Sequence, residues 1–185
     1  MGAWDAVIIP GHRASSQGAV SGDGTQEWGW ACDVGARVVE ALNRQDYHAT
    51  LLLRADTKTG YRTLPEAVNL LAPRLALSIH FNSHSTPAAH GTETLCAQGS
   101  AGGASLAVLV QSSMVQTLGL RDRGIKQIKR DGRGGHLLWA TSMPCVLVEP
   151  GFGSNENDWT MINHRRQELA DAIATGVAAW LGGVA

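Results

Sequence analysis

The chain has 185 residues, with 15 Lys and Arg against 16 Asp and Glu, for a net charge of −1. This is the length of one domain with a single substantial core, and it lacks the basic excess of a dedicated nucleic-acid binder. No apolar run approaches the ~20 residues that span a bilayer, so membrane insertion is not expected. Cys32, Cys96 and Cys145 include no CxxC pair, which excludes a zinc-finger pattern and suits a reducing compartment.

The opening MGAWDAVIIPGH has no basic stretch followed by a long apolar core, so it reads as the start of the fold and not as a secretion signal. Ala6-Val7-Ile8-Ile9 is a strand stopped by Pro10-Gly11, with His12 immediately after. Residues 13–25 are rich in Ser and Gly and read as a loop. Thr25 is placed to cap a helix whose inward stripe is Ala31, Val34 or Gly35, Val38 and Leu42. Glu27 lies in the first turn, four residues before Ala31, on the same side as that stripe. A helix dipole favours an acid there, but it does not account for a carboxylate on the buried-facing side.

ATLLL at 49–53 is the next strand, followed by a turn over 56–60 and a helix through Ala67, Leu70 and Leu71 that Pro73 breaks. The run LALSIHFNS at 75–83 begins as a strand buried on both faces and ends in His80 and Asn82. In open α/β sheets ligands sit beyond the carboxyl ends of strands, which places both side chains at the rim of a site. GTETLC at 91–96 is a weaker strand with Glu93 inside it. A helix over 104–118 presents Leu106, Leu109, Val110 and Val115. In residues 121–133, Arg121, Arg123, Lys126, Lys129, Arg130 and Arg133 outnumber Asp122 and Asp131, and residues 121–135 read as irregular. Leu137-Leu138-Trp139 reads as a short return strand. PCVLV at 144–148 is a buried strand ended by Glu149 and Pro150-Gly151. Asn157 or Asp158 opens a helical region with Leu169, Ile173, Val177 and Leu181 facing inward, ended by Gly182-Gly183. This alternation predicts a single α/β domain over 1–185 with a largely parallel sheet.

His12, His80 and Glu149 thus follow strand ends, and Glu27 stands at a helix start. Two imidazoles and one carboxylate with a fourth position open is a catalytic zinc set. A further carboxylate beside it serves as proton shuttle. There is no GxSxG elbow, and Cys145 lies inside a strand, so a serine or cysteine nucleophile has little support.

PGH at 10–12, Glu27, SIHFNS at 78–83 followed by GTET at 91–94, and VEPGFGSNENDW at 148–159 together resemble the zinc-dependent N-acetylmuramoyl-L-alanine amidases that have a His–Glu–His zinc site. The pieces occur in family order across nearly the whole chain. The resemblance implies a twisted, mostly parallel sheet of about six strands flanked by helices. It implies zinc held by His12, Glu27 and His80, with Glu149 as the catalytic carboxylate. It places Arg62 and Asn69 in the family's R…AN region. The loop HRASSQGA and the strand end IIP depart from the family's commoner forms.

The implied activity is hydrolysis of the amide between N-acetylmuramic acid and L-alanine of the stem peptide in peptidoglycan. Alternatives are a zinc metallo-carboxypeptidase on wall peptides and a non-catalytic wall-binding domain, and the presence of all four site residues counts against the latter. Asn82 is a candidate oxyanion donor, the 121–133 stretch a candidate contact for stem-peptide carboxylates, and His136 and Trp28 are candidates for the cleft rim. Glu93 has a cleft or a solvent orientation open to it, and His84, His90 and His164 read as surface residues. The expectation is a monomer made in the cytoplasm without a signal peptide, which acts on the wall after release, either as a phage lysis enzyme let out through a separate hole-forming protein or as a sporulation enzyme freed when the mother cell lyses.

Overall fold

The computed structural model describes residues 4–54 and 60–183, and the turn expected over 56–60 falls almost wholly outside them. Strands β1 (Ala6–Pro10), β2 (Ala49–Leu51), β3 (Leu75–Ile79), β4 (Thr92–Ala97), β5 (Asp122–Ile128) and β6 (Cys145–Glu149) form a sheet in the order β2-β1-β3-β6-β4-β5. The first four of that order run parallel. β4 is antiparallel to β6 and parallel to β5. The domain is therefore α/β with a mostly parallel sheet, as the alternation predicts.

The apolar strands do not alternate with polar residues because helices cover both faces. Ile8, Leu75, Leu77, Ile79, Val146 and Val148 point to one face, beneath α1 (Glu27–Asn43), α3 (Ala101–Leu118) and α6 (Arg166–Gly183). Val7, Ile9, Ala76, Leu95, Cys145 and Leu147 point to the other, beneath α2 (Leu64–Leu71) and α4 (Gly135–Ala140). The inward stripe expected for α1 is the buried one, as are Leu169, Ile173, Val177 and Leu181 of α6.

Several local expectations are corrected. The 121–133 segment is not irregular throughout, because Asp122–Ile128 forms β5. Its charges suit an edge strand, where polar side chains protect an exposed ladder. Leu137-Leu138-Trp139 belongs to α4 and not to a strand; three apolar residues carry no period that separates the two. On α3 the buried stripe is Leu106, Ala107, Val110, Gln111, Met114 and Leu118, while Leu109 is 37% exposed. The C-terminal helical region opens earlier than either expected residue: Asn155 caps α5 (Glu156–His164), its side chain accepting from the Asp158 N–H at 3.0 Å.

Thr25 does not cap α1. Its own N–H donates to the Ser21 hydroxyl and the Asp23 carboxylate, both at 3.0 Å, and Gln26 stands at the cap position without a side-chain bond. The first-turn donors are instead satisfied by loop carbonyls: Glu27 N–H to Ala19 at 3.0 Å and Trp28 N–H to Gln17 at 2.9 Å. The helix start is thereby fixed to the loop that follows His12.

α3 and α6 cross so closely that a Cβ on Gly176 would lie 2.6 Å from the Val110 Cα and 2.9 Å from the Leu109 carbonyl. Alanine ordinarily strengthens a helix by about 1 kcal/mol over glycine, yet here the clash with backbone outweighs that gain. Gly176→Ala is expected to lower the melting temperature by several degrees. Gly29→Ala on α1, where a Cβ meets nothing within 4 Å, is expected to raise it or leave it unchanged. Thermal melts of the two variants check this, and a stabilised Gly176→Ala contradicts the packing described.

Candidate active site

Three neighbouring parallel strands end level with one another. Pro10 of β1 is in register with Ile79 of β3, and Ile79 with Val148 of β6. The ladder runs one step further, through the Gly11 N–H to the Ile79 carbonyl at 2.8 Å and the His80 N–H to the Val148 carbonyl at 3.0 Å. His12, His80 and Glu149 therefore emerge side by side at the carboxyl edge of the sheet. All three line one cavity of about 470 Å³, together with Glu27.

Glu27 reaches this cavity from the first residue of α1 and is itself buried. Its carboxylate stands between the two imidazoles, with Oε2 at 3.0 Å from His12 Nε2 and Oε1 at 2.8 Å from His80 Nδ1. The Ala19 N–H also donates to Oε2 at 2.9 Å, and the Phe81 N–H to Oε1 at 3.3 Å. Burial on its own raises the pKa of a carboxyl, but the bonds from His12, His80 and Ala19 outweigh it and hold Glu27 down at about 2. One donor atom from each of His12, Glu27 and His80 lies within 4.8 Å of the others, an arrangement able to hold a metal ion.

Two glycines make room for this cluster. A Cβ on Gly11 would meet the His80 ring at 2.4 Å, and one on Gly18, whose φ is +80°, would meet the His12 ring at 2.4 Å and Glu27 Oε2 at 2.6 Å. His12 itself has φ 64°, a left-handed conformation for a residue with a side chain. Such backbone strain persists where its surroundings over-determine it, and here both the Glu27 contact and the strand end do so.

Glu149 is buried, and one of its carboxylate oxygens, Oε2, has no hydrogen-bond partner. Burial pushes its pKa up to about 8; the charge of Arg133 opposes this, and the nearby carboxylates of Glu27 and Glu93 add to it. Glu93 faces Glu149 directly across the β4–β6 ladder, so of its two open orientations it takes the inward one. Arg123 Nε donates to its Oε2 at 2.7 Å, and Arg133 Nη2 and Asn82 Nδ2 donate to its Oε1 at 2.8 and 2.9 Å. Burial would raise its pKa too, but the two arginines reverse the direction and keep Glu93 ionised.

The other residues singled out above are distributed as follows. Asn82 lines the cavity, but its amide already donates to Glu93, and its Oδ1 accepts from Arg133 at 3.0 Å. The basic stretch divides: Arg123 and Arg133 turn onto Glu93, while Arg121, Lys129 and Arg130 remain exposed. Asn69 ties α2 to the end of α4 through the Ala140 carbonyl at 2.9 Å and the Ser142 N–H at 2.8 Å, and exposed Arg62 accepts at its carbonyl from His136 at 3.1 Å. His136 lies outside the cavity lining, packed edge-on to Tyr61, and Trp28 is outside it as well. Arg54 and Tyr61, which the sequence did not mark, line the cavity, with the Arg54 guanidinium 4.9 Å from the Tyr61 ring centroid.

The N-acetylmuramoyl-L-alanine amidase family matches this chain over residues 6–179. The chain is 31% identical over 180 residues to the N-acetylmuramoyl-L-alanine amidase LytC of Bacillus subtilis (strain 168), a span of 94% of this chain but only 34% of LytC. Among solved structures it resembles an N-acetylmuramoyl-L-alanine amidase from Clostridium difficile 630, with a TM-score of 0.85, 24% identity and full coverage of both chains. It also resembles the catalytic domain of CwlV, an N-acetylmuramoyl-L-alanine amidase from Bacillus (Paenibacillus) polymyxa, with a TM-score of 0.80, 26% identity and coverage of 96% and 97%. With a family match across almost the whole described fold and the same α/β architecture in these relatives, the chain belongs to the N-acetylmuramoyl-L-alanine amidase family.

Proposed function

We propose that this protein is a zinc-dependent peptidoglycan hydrolase that cuts the amide between N-acetylmuramic acid and the L-alanine of the stem peptide. The observation that carries the reading is the convergence of His12, Glu27 and His80 on the cavity that also holds the unpartnered Glu149 oxygen. Family membership supplies the bond that is cut. Two imidazoles and a carboxylate fit zinc by number and by donor type, as neutral nitrogen with one charged oxygen leaves a position open. When bound, zinc supplies Lewis-acid polarisation of the scissile carbonyl and of water.

The chain's own residues supply the rest. Glu27, locked by α1 and the 17–19 loop, sets the spacing of the two imidazoles. Glu149 accepts the proton of the attacking water at its free oxygen and then delivers it to the departing L-alanine amine. A carboxyl displaced upward from the usual range is suited to both halves of that transfer. Asn82 keeps its amide on Glu93, so it is a support of the cavity wall and not a free oxyanion donor.

Digestion of purified peptidoglycan with and without a chelator tests the reading. New L-alanine amino ends that disappear on chelation are expected. New reducing sugars or released D-alanine overturn it. The free cysteines Cys32, Cys96 and Cys145 suit a reducing compartment, and we propose in addition that the chain is a monomer that reaches the wall after release, with a hole-forming protein if it is a phage enzyme. Cell fractionation before and after membrane breach addresses that part.

The two carboxylates are separable by variants. Glu149→Gln is nearly isosteric and is expected to keep stoichiometric zinc while turnover falls by the ~10²–10⁴-fold typical of a lost general acid–base group. Glu27→Gln and His80→Ala are expected to lose zinc affinity and activity together. Metal content and turnover measured on the same preparations check this, and loss of zinc from Glu149→Gln alone reverses the assignment.

The metal-free protein carries a pH signature as well. The folded-state pKa of Glu149, about 8, lies above its ordinary 4.5, so between these values the folded form binds more protons than the unfolded one. Its contribution to stability is full below pH 4.5 and is lost as pH rises through 8. Metal-free Glu149→Gln is expected to melt above the metal-free parent near pH 8, with the gap closing near pH 4.5. Thermal melts across that range measure it.

A further inference from the structure

We propose that Arg133 is a positioning residue for Glu149, its guanidinium holding one carboxylate oxygen in place so that the other is presented to the cavity. Arg133 stands between β5 and α4 in the run Asp131-Gly132-Arg133-Gly134-Gly135. Its side chain is 53% exposed, yet its head group reaches inward. Nη2 donates to Glu93 Oε1 at 2.8 Å and Nη1 to Asn82 Oδ1 at 3.0 Å, and Nη1 lies 3.4 Å from Glu149 Oε1. Gly134 has φ +71°, and a Cβ on Gly135 would lie 2.5 Å from the Arg130 carbonyl, so the turn that carries Arg133 is a tight one that leaves no room for a side chain at position 135.

Glu93 anchors the arrangement. As the cross-strand partner of Glu149, it is directed to the same side of the sheet and draws the guanidinium toward both carboxylates. Arg123, its own guanidinium 4.9 Å from the Phe152 ring centroid, occupies the other oxygen of Glu93. Arg133 is thus left to bridge from Glu93 to Glu149. The asymmetry that results matches an acid–base division of labour: Glu93 is fully bonded and stays ionised, while Glu149 is held at Oε1 and bare at Oε2. A guanidinium that donates to two protein acceptors and ion-pairs with a third group is committed to the wall of the site more than to a ligand.

This inference rests on the amidase reading, and Arg133→Met on the zinc-loaded protein tests it. The expected result is a fall in kcat of roughly ten- to a hundred-fold, the scale of a misplaced catalytic group, with KM for a muramyl peptide and zinc content unchanged. The pH dependence of kcat should shift upward on its rising limb, because Glu27 and Glu93 still face Glu149 while the opposing charge of Arg133 has gone. Arg133→Lys should restore part of the rate, and Arg44→Met, the same charge change at the exposed far end of α1, should leave kcat and KM as they are. A loss confined to KM, an unchanged kcat, or a loss with the parent's pH profile and no rescue by lysine each overturns the proposal.

Should the parent release no L-alanine ends, the amidase reading fails by itself, and metal-free melts still decide the role of Arg133. Arg133→Met should then steepen the loss of stability toward pH 8 in the parent background and have no such effect in Glu149→Gln. Equal slopes in both backgrounds overturn it.

Discussion

The site depends on strand register before it depends on any side chain. Parallel β1, β3 and β6 bring Pro10, Ile79 and Val148 level, so the residues just beyond them leave the sheet at one height and in one direction. A parallel sheet needs long crossovers between neighbouring strands, and the helices in those crossovers are what bury both faces. One of them, α1, returns over β1 and begins with Glu27. The fourth side chain of the cluster is therefore delivered by the same connection that makes β1 and its neighbours parallel. A slip of one residue in any of the three strands would turn its terminal side chain to the opposite face and dissolve the cluster.

The electrostatics follow from this geometry. Glu27 and Glu149 are both buried carboxylates of the same cavity, yet their tendencies are opposite. Glu27 receives two imidazoles and two backbone N–H groups, whereas Glu149 receives one guanidinium at 3.4 Å. The first is a fixed anion between two ring nitrogens. The second is poorly solvated and holds a proton more firmly than a free carboxyl does. Divergent environments give chemically identical groups different tasks, and the roles proposed for Glu27 and Glu149 require such a division.

What could be read from the sequence was whatever a strand end announces. His12, His80 and Glu149 each follow an apolar run closed by a turn signal or a polar switch, and a parallel sheet converts those three endings into neighbours. Glu27 was legible through helical spacing against Ala31. The network behind Glu149 was not legible in the same way. Arg133 sits forty residues after Glu93 and is one of several cations in a polar stretch, and only pairing of β4 with β5 and β6 brings it under the site. The misread segments share a cause. Residues 122–128 carry the polar composition of an edge strand, and residues 137–139 are too short to show a period, so tertiary context decided both. The cap of α1 was misplaced because loop carbonyls, which no local pattern reveals, took the role assigned to Thr25.

The reversed direction of β4 has one more consequence. Because β4 runs against β6, it starts at the edge where β3 stops, and residues 80–91 join the two without crossing the sheet. This connection arches past the end of β6 and is moored at the far side: the His84 N–H donates to the Ser154 hydroxyl at 3.0 Å, and the Asn155 amide to the Pro87 carbonyl at 2.7 Å. Most of its middle is exposed. Its length is consequently uncoupled from helix packing and strand alignment, unlike that of every parallel crossover in the domain. Residues inserted there would heighten one bank of the cleft while leaving His12, Glu27, His80 and Glu149 where they are, so this arch can change in length without disturbing the cluster.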